Sequence, residues 1–164
     1  QQALWQPMIA SIQELSDYAA KKGVVVALQN QDNGSFAMTA DQVLRSLLET
    51  ARPNFTFLMD TGRWLGAIGS HPRGEFEPKV DLYRDYLEPT APHATYVRAK
   101  IYKIDSGTEE FVDYPHILRI LHAANFDGTL GLVFELGERN RCGYEERVRK
   151  AVEHLRQVIG AVDA

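Results

Sequence analysis

The stretch Val24-Val25-Val26-Ala27-Leu28-Gln29-Asn30-Gln31-Asp32 (residues 24–32) decides how the rest of the chain is read. Its first five residues are apolar and mostly β-branched, and amides and an acid follow them. So unbroken an apolar run reads as a strand covered on both faces, as in parallel sheets. Before it, Trp5, Ile9, Ile12, Leu15 and Ala19 recur in steps of three and four, the period of a helix with one buried face. Lys21 and Lys22 suit the negative end of that helix, and Gly23 suits its C-cap.

The helix–strand unit then repeats. Thr39 and Gln42 form a capping-box signature ahead of a stripe of Val43, Leu44, Leu47 and Leu48. Pro53-Asn54 turns the chain into a second strand, Phe55 to Met59, and a long polar loop follows Asp60. Val80, Tyr83, Tyr86 and Leu87 mark a helix, and Thr95 to Ile101 a third strand. Asp113 caps a helix carrying Ile117, Leu118, Ile120 and Leu121. Asp127-Gly128 turns into a fourth strand, Thr129 to Phe134, and the last helix holds Val148, Val152, Leu155 and Ile159. Strands alternating with helices imply right-handed crossovers and a parallel sheet, so the class is α/β. The spacing of about 30 to 40 residues is one βα unit. Four such units over residues 1–164 make a single partial domain, half of a (β/α)8 barrel that needs about 250 residues. An open doubly wound sheet is the structural competitor. The opening Gln1-Gln2, with no initiator methionine, reads as a segment of a longer chain whose N-terminal half completes the barrel.

Composition narrows the partners. A net charge of −4 with no basic stripe disfavours nucleic acid and anionic membranes. No apolar run is long enough for a membrane span. The single cysteine, Cys142, excludes an internal disulfide or a cysteine-based zinc cluster, which points to a reducing, cytoplasmic setting. Half a barrel leaves two strand edges open, so self-association into a homo-oligomer is expected of the isolated chain.

Chemistry in parallel α/β folds gathers at the C-terminal strand ends. The first strand ends in Gln29 to Asn33 and the second in Asp60-Thr61-Gly62-Arg63-Trp64. The third carries Arg98 and Lys100, and the fourth ends in Glu135, followed by Gly137 and Glu138. Period-two alternation puts Gln29 with Gln31, Arg98 with Lys100, and Val133 with Glu135 on shared faces. If those faces point inward, Gln29, Asp60, Arg98 and Glu135 converge at one mouth suited to a polyhydroxylated ligand. A carboxylate directly after Phe55–Met59 is costly without a task, which singles out Asp60. Arg98 and Lys100 serve equally well as neutralisers of the two acids. Trp64 is a stacking wall for a sugar face or plain packing. His71, His93, His116, His122 and His154 show no metal-pair spacing, and the last three read as surface residues of helices. Cys142, between Arg141 and Gly143, reads as structural, with a lowered thiol pKa as the alternative.

Five segments in order carry a resemblance: Gly23 to Asn30, Leu58-Met-Asp-Thr-Gly, Tyr96-Val-Arg-Ala-Lys, Asp113-Tyr-Pro and Asp127-Gly-Thr-Leu. Together they resemble the last four βα units of the xylose isomerase-like TIM barrels, among them sugar phosphate isomerases and epimerases. The resemblance implies a divalent metal, manganese or magnesium, held by Glu, Asp, His and Glu from successive strands, with the glutamates moving protons beside a substrate carbonyl. Carried across, the first Glu falls on Gln29, the Asp on Asp60, the His on Arg98 and the last Glu on Val133, two residues before Glu135. An arginine repels a cation and a valine offers it nothing. The expectation is therefore no tightly held cofactor, with Asp60 the one retained metal ligand and Arg98 in the cation's place against Asp60.

Three activities follow. The first is a sugar isomerase or epimerase in which Glu135 is the base, Lys100 or Arg98 the electrophile, and Gln29, Gln31, Asp60 and Trp64 contact the substrate. The second is a noncatalytic carbohydrate-binding barrel. The third, a metal-dependent endonuclease of the same fold, is disfavoured by the acidic charge and the lost ligands.

Overall fold

The computed structural model of the protein describes residues 2–68, 79–135 and 140–162; His71, Gly137, Glu138 and Arg139 lie outside them. Helix α1 (Gln2–Ala20) leads into β1 (Val26–Gln29), α2 (Ala40–Thr50) and β2 (Phe55–Asp60). A π-helical segment (Leu82–Leu87) runs into the single turn α3 (Glu88–Thr90) and a 3-10 turn (Ala91–His93), which deliver β3 (Ala94–Ile101). Then come α4 (Tyr114–Ala123), β4 (Thr129–Phe134) and α5 (Tyr144–Val162). The caps form as expected. Thr39 accepts from the Gln42 N–H, Asp113 from the His116 N–H, and Gly23 ends α1 at φ +67.

The four strands are parallel and stand side by side in chain order. Every crossover therefore steps in the same direction, as in a barrel, whereas a doubly wound sheet reverses at a switch point. The core lies between the helices and one face of the sheet. On that face Phe57, Met59, Val97, Ala99 and Ile101 are fully buried in one cluster with Val43, Leu87, Ile117 and Leu155. The other face is open, with Ala27 and Tyr96 exposed and Thr56, Leu58 and Val133 half-buried.

One irregularity sets the register. Ala94 pairs with Phe57 but Tyr96 pairs with Leu58, so Thr95 is an extra residue in β3. Its hydroxyl bonds to Thr56 Oγ1 at 3.0 Å. A Cβ on Gly128 would fall 2.3 Å from the Thr95 carbonyl oxygen, so the turn before β4 requires glycine. A one-residue slip exchanges the faces of a strand. The bulge thus turns Arg98 and Lys100 to the open face, with Arg98 opposite Asp60.

Several expectations are corrected. β1 begins only at Val26; Val24 and Val25 are exposed, and the strand is an edge whose inward face has no covering layer. Leu15 and Leu48 are exposed, and Ser16 and Ser46 take the buried positions beside them. In α5 the buried line runs through Ala151, Leu155, Val158 and Val162, one step round from Val148, Val152 and Ile159. That rotation carries His154 inside, edge-on to Tyr114. Burial holds its imidazole below the usual value, because nothing offsets the cost of charging it there.

β1 and β4 each present an unpaired edge beside a partly apolar open face, a template for pairing with another chain. The isolated chain should therefore elute, by size-exclusion chromatography with light scattering, at the mass of a dimer or larger. A monodisperse monomer with a cooperative melt would contradict the half-barrel description.

Candidate functional site

The strand ends bring a charged cluster together on the open face. Asp60, fully buried at the end of β2, lies opposite Arg98 in the β2–β3 register. Lys100 lies opposite Val133 in the β3–β4 register, and the Glu135 N–H extends that ladder by donating to the Ile101 carbonyl at 3.0 Å. The Lys100 side chain is 2% exposed, and its ammonium stands between two carboxylates, 3.5 Å from Asp60 Oδ2 and 2.5 Å from Glu135 Oε1. Its backbone is pinned on both sides. The Lys100 N–H donates to Thr61 Oγ1 at 3.0 Å, and its carbonyl accepts from the Tyr114 hydroxyl at 2.6 Å.

Asp60 is further engaged by the Gly62 N–H at 3.0 Å and the Gln29 amide at 3.4 Å. The Arg98 guanidinium is 3.7 Å from Asp60 Oδ2 and makes no hydrogen bond to a described residue. Arg98 thus stands against Asp60 as expected, and Lys100 reaches the same oxygen and Glu135 besides. Gln31 is half-buried on the loop after β1, and its side chain makes no hydrogen bond to the cluster. Trp64 is fully enclosed, stacked on Tyr86 at 4.9 Å and edge-on to Phe57. It belongs to the core between sheet and helices and has no ring face for a sugar. The Cys142 thiol is pushed up by burial and by the Asp105 carboxylate, so the lowered-pKa alternative is overturned.

Three residues join the cluster that the strand pattern did not single out. Arg63 donates to Glu135 Oε1 at 2.9 Å and to Asp32 Oδ1 at 3.2 Å, tying the loops after β1 and β2 to the end of β4. Asn30, fully buried, accepts from the Asp60 N–H at 2.7 Å and donates to the carbonyls of Asp60 and Arg63. The available signal was chemical: one amide that both donates and accepts can hold two backbone strands at once.

Burial is the largest influence on both acids, with opposite outcomes. It raises the Asp60 carboxyl above its ordinary range, and Lys100, the Gly62 N–H, Arg98 and Arg63 only partly offset it. At Glu135 the hydrogen bond and charge of Lys100, with Arg63, outweigh burial and hold the carboxyl below its ordinary range. Lys100 and Arg63 both take Oε1, and Oε2 has no partner among the described residues.

The four positions that hold a metal by the resemblance are occupied by Gln29, Asp60, Arg98 and Val133, and among the described residues no three acids, histidines or cysteines are placed to hold a metal ion together. With an ammonium between Asp60 and Glu135 and a guanidinium beside them, these residues do not fit a divalent cation. No described helix is long and apolar enough to cross a membrane.

The sequence profile described as xylose isomerase-like TIM barrel matches residues 1–158. The chain belongs to that family. Among curated proteins no sequence matches it. Its fold is similar to an L-ribulose 3-epimerase, at 18% identity and TM-score 0.66 over 99% of this chain and 55% of that one. It is also similar to a D-psicose 3-epimerase from Clostridium cellulolyticum H10 solved with D-tagatose, at 12% identity and TM-score 0.66 over 94% of this chain and 56% of that one. A third likeness is a family protein from Mycobacterium smegmatis solved with magnesium, at 16% identity and TM-score 0.63 over 99% and 53%. The chain spans about half the length of these structures.

Because Lys100 holds Glu135 ionised, Lys100→Met should raise the Glu135 carboxyl pKa above its present low value, read by carbon-13 titration of the carboxyl. The matching stability is present above the ordinary glutamate range of about 4.3 and is lost as pH falls through the lower folded value. An unchanged Glu135 titration in Lys100→Met would contradict the contact.

Proposed function

We propose that this chain is half of a closed barrel that isomerises or epimerises a sugar-like substrate by moving a proton beside its carbonyl. Four further βα units, from the same polypeptide or another, close the barrel and complete the pocket. The observation that carries the reading is the Lys100–Glu135 contact, with Oε1 held by two cations and Oε2 without a partner among the described residues.

In this reading the Lys100 ammonium donates a hydrogen bond to the carbonyl oxygen, and Glu135 Oε2 removes the proton from the adjacent carbon. The C–H electron pair becomes the carbon–carbon double bond of an enediolate, and the carbonyl pair moves onto oxygen beside Lys100. In an isomerisation the hydroxyl proton of the enediolate passes to the oxygen beside Lys100, the new carbonyl forms where that hydroxyl stood, and Glu135, now protonated, returns its proton to the former carbonyl carbon. An epimerisation requires a second acid on the opposite face. The low resting pKa of Glu135 fits this sequence. When the carbonyl draws the Lys100 hydrogen bond away, burial is left less opposed and the carboxylate becomes a stronger base. Asp60 stands beside the Lys100 ammonium, and Gln29 steadies Asp60. Gln29 and Gln31 offer amides to substrate hydroxyls.

The cations that hold Glu135 down also favour a second reading, a barrel that binds carbohydrate without converting it. The two separate in one experiment on the closed barrel, proton NMR of deuterium uptake from solvent next to the carbonyl of a panel of ketoses. The catalytic reading expects exchange undiminished by EDTA and reduced about 100- to 10,000-fold in Glu135→Gln. Exchange that survives Glu135→Gln would sink the base assignment. Saturable binding without exchange in the unaltered protein would establish the noncatalytic reading.

A further inference from the structure

We infer that Arg98, with the Tyr96 hydroxyl beside it, forms a subsite for a carboxylate borne next to the reacting carbonyl. The substrate is then a keto sugar acid and not a neutral ketose; this rests on the proton-transfer reading above.

The Arg98 side chain is 30% exposed on the open face, and among the described residues its one ion-pair partner is Asp60 Oδ2, 3.7 Å away. An arginine that serves only to pair is held differently: in this same molecule Arg52 meets Asp17 through two N–H···O bonds of 2.6 and 3.1 Å. Asp60 takes its closer contacts elsewhere, Oδ1 from the Gly62 N–H and Oδ2 from Gln29 and Lys100, which leaves Arg98 beside it without a hydrogen bond to it. The planar fork of Arg98 therefore keeps its donors free for a two-oxygen acceptor.

The ground beside Arg98 is prepared for the same acceptor. Its register partner on β4 is Gly131, which has no side chain, and the Tyr96 phenol lies across the space. A Cβ on Gly131 would fall 1.8 Å from the Tyr96 hydroxyl oxygen. That hydroxyl makes no hydrogen bond to a described residue, and Tyr96 is 36% exposed. The Arg98 guanidinium and the Tyr96 hydroxyl, both from β3, thus share one level of the inward face, the hydroxyl lying over the β4 register partner of Arg98.

Position selects the chemistry. Arg98 and Lys100 approach the same Asp60 oxygen, at 3.7 and 3.5 Å, so their charged atoms are no further apart than those two distances together. An anionic group on Arg98 therefore sits within a few bonds of a carbonyl on Lys100. A carboxylate attached to the carbonyl carbon meets that limit and matches the fork. A phosphate at the far end of a hexose chain lies several bonds beyond it.

The test is calorimetry on the closed barrel with three probes: 2-keto-D-gluconate, D-fructose 6-phosphate and D-fructose. The keto acid should bind at least about tenfold more tightly than D-fructose, with the margin shrinking in high salt. Arg98→Gln should abolish the margin, and Tyr96→Phe should reduce it a few-fold. Arg98→Lys, which preserves the charge but not the fork, should lose most of it. Equal binding of keto acid and ketose, tighter binding of the phosphate ester than of the keto acid, or an Arg98→Lys protein with the full margin would each overturn the inference. Deuterium uptake reads separately. An Arg98-dependent margin without Glu135-dependent exchange would sink the catalytic reading alone, and the converse would sink only the carboxylate subsite.

Discussion

The site depends on one buried ammonium. Lys100 sits almost without exposure between Asp60 and Glu135, and each of the three charges is tolerable only because the others are there. Desolvating an isolated charge costs several kcal/mol, and removing one member of a buried pair costs about 3–5 kcal/mol. The strand ends are therefore committed as a unit. Asp60 cannot become an alanine or a leucine without taking from the buried Lys100 one of its two carboxylate partners. Arg63 extends the unit to the loops, so the mouth of the half barrel is organised by charge, whereas the opposite face of the sheet is organised by packing.

Backbone detail makes that ammonium land where it does. Without the extra residue at Thr95, Arg98 and Lys100 would turn toward the helices, where Val97 and Ala99 now pack. Gly128 lets β4 approach the bulge, Gly131 makes room for the Tyr96 ring, and Asn30 ties the ends of β1 and β2 together. The Thr61 and Tyr114 hydroxyls then fix both polar groups of the Lys100 peptide. Register, bulge and hydrogen bonding point to one outcome, which is how a strand-end site keeps its geometry on the edge of a sheet.

Much of this was legible in the sequence, for identifiable reasons. Helix and strand periods differ, so the alternation of elements and the shared face of Arg98 and Lys100 could be read from spacing, whereas which way that face points depends on the bulge at Thr95. The fold and the family follow from that order and are upheld by the profile match over residues 1–158. Loop residues have no period. The pairing of Arg63 with Asp32 and Glu135 depends on how separate strand ends meet, and so does the turn of Trp64 into the core. α5 carries apolar residues on two adjacent lines, so its phase, and with it the burial of His154, was settled only by packing against α4 and the sheet. The mapping onto metal ligands identified which ligands were gone. It set Arg98 against Asp60 but could not say that Lys100 would reach the same oxygen, because Arg98 and Lys100 share a face and differ only in depth.

The central claim is that a lysine ammonium, and not a metal ion, occupies the space between Asp60 and Glu135. Its most direct test is a crystal structure of the closed barrel grown in excess manganese chloride, with anomalous data collected at the manganese edge. The account predicts Lys100 Nζ within hydrogen-bonding distance of Glu135 and beside Asp60, with no anomalous peak at either carboxylate. An anomalous peak on Asp60 with Lys100 swung away would contradict it.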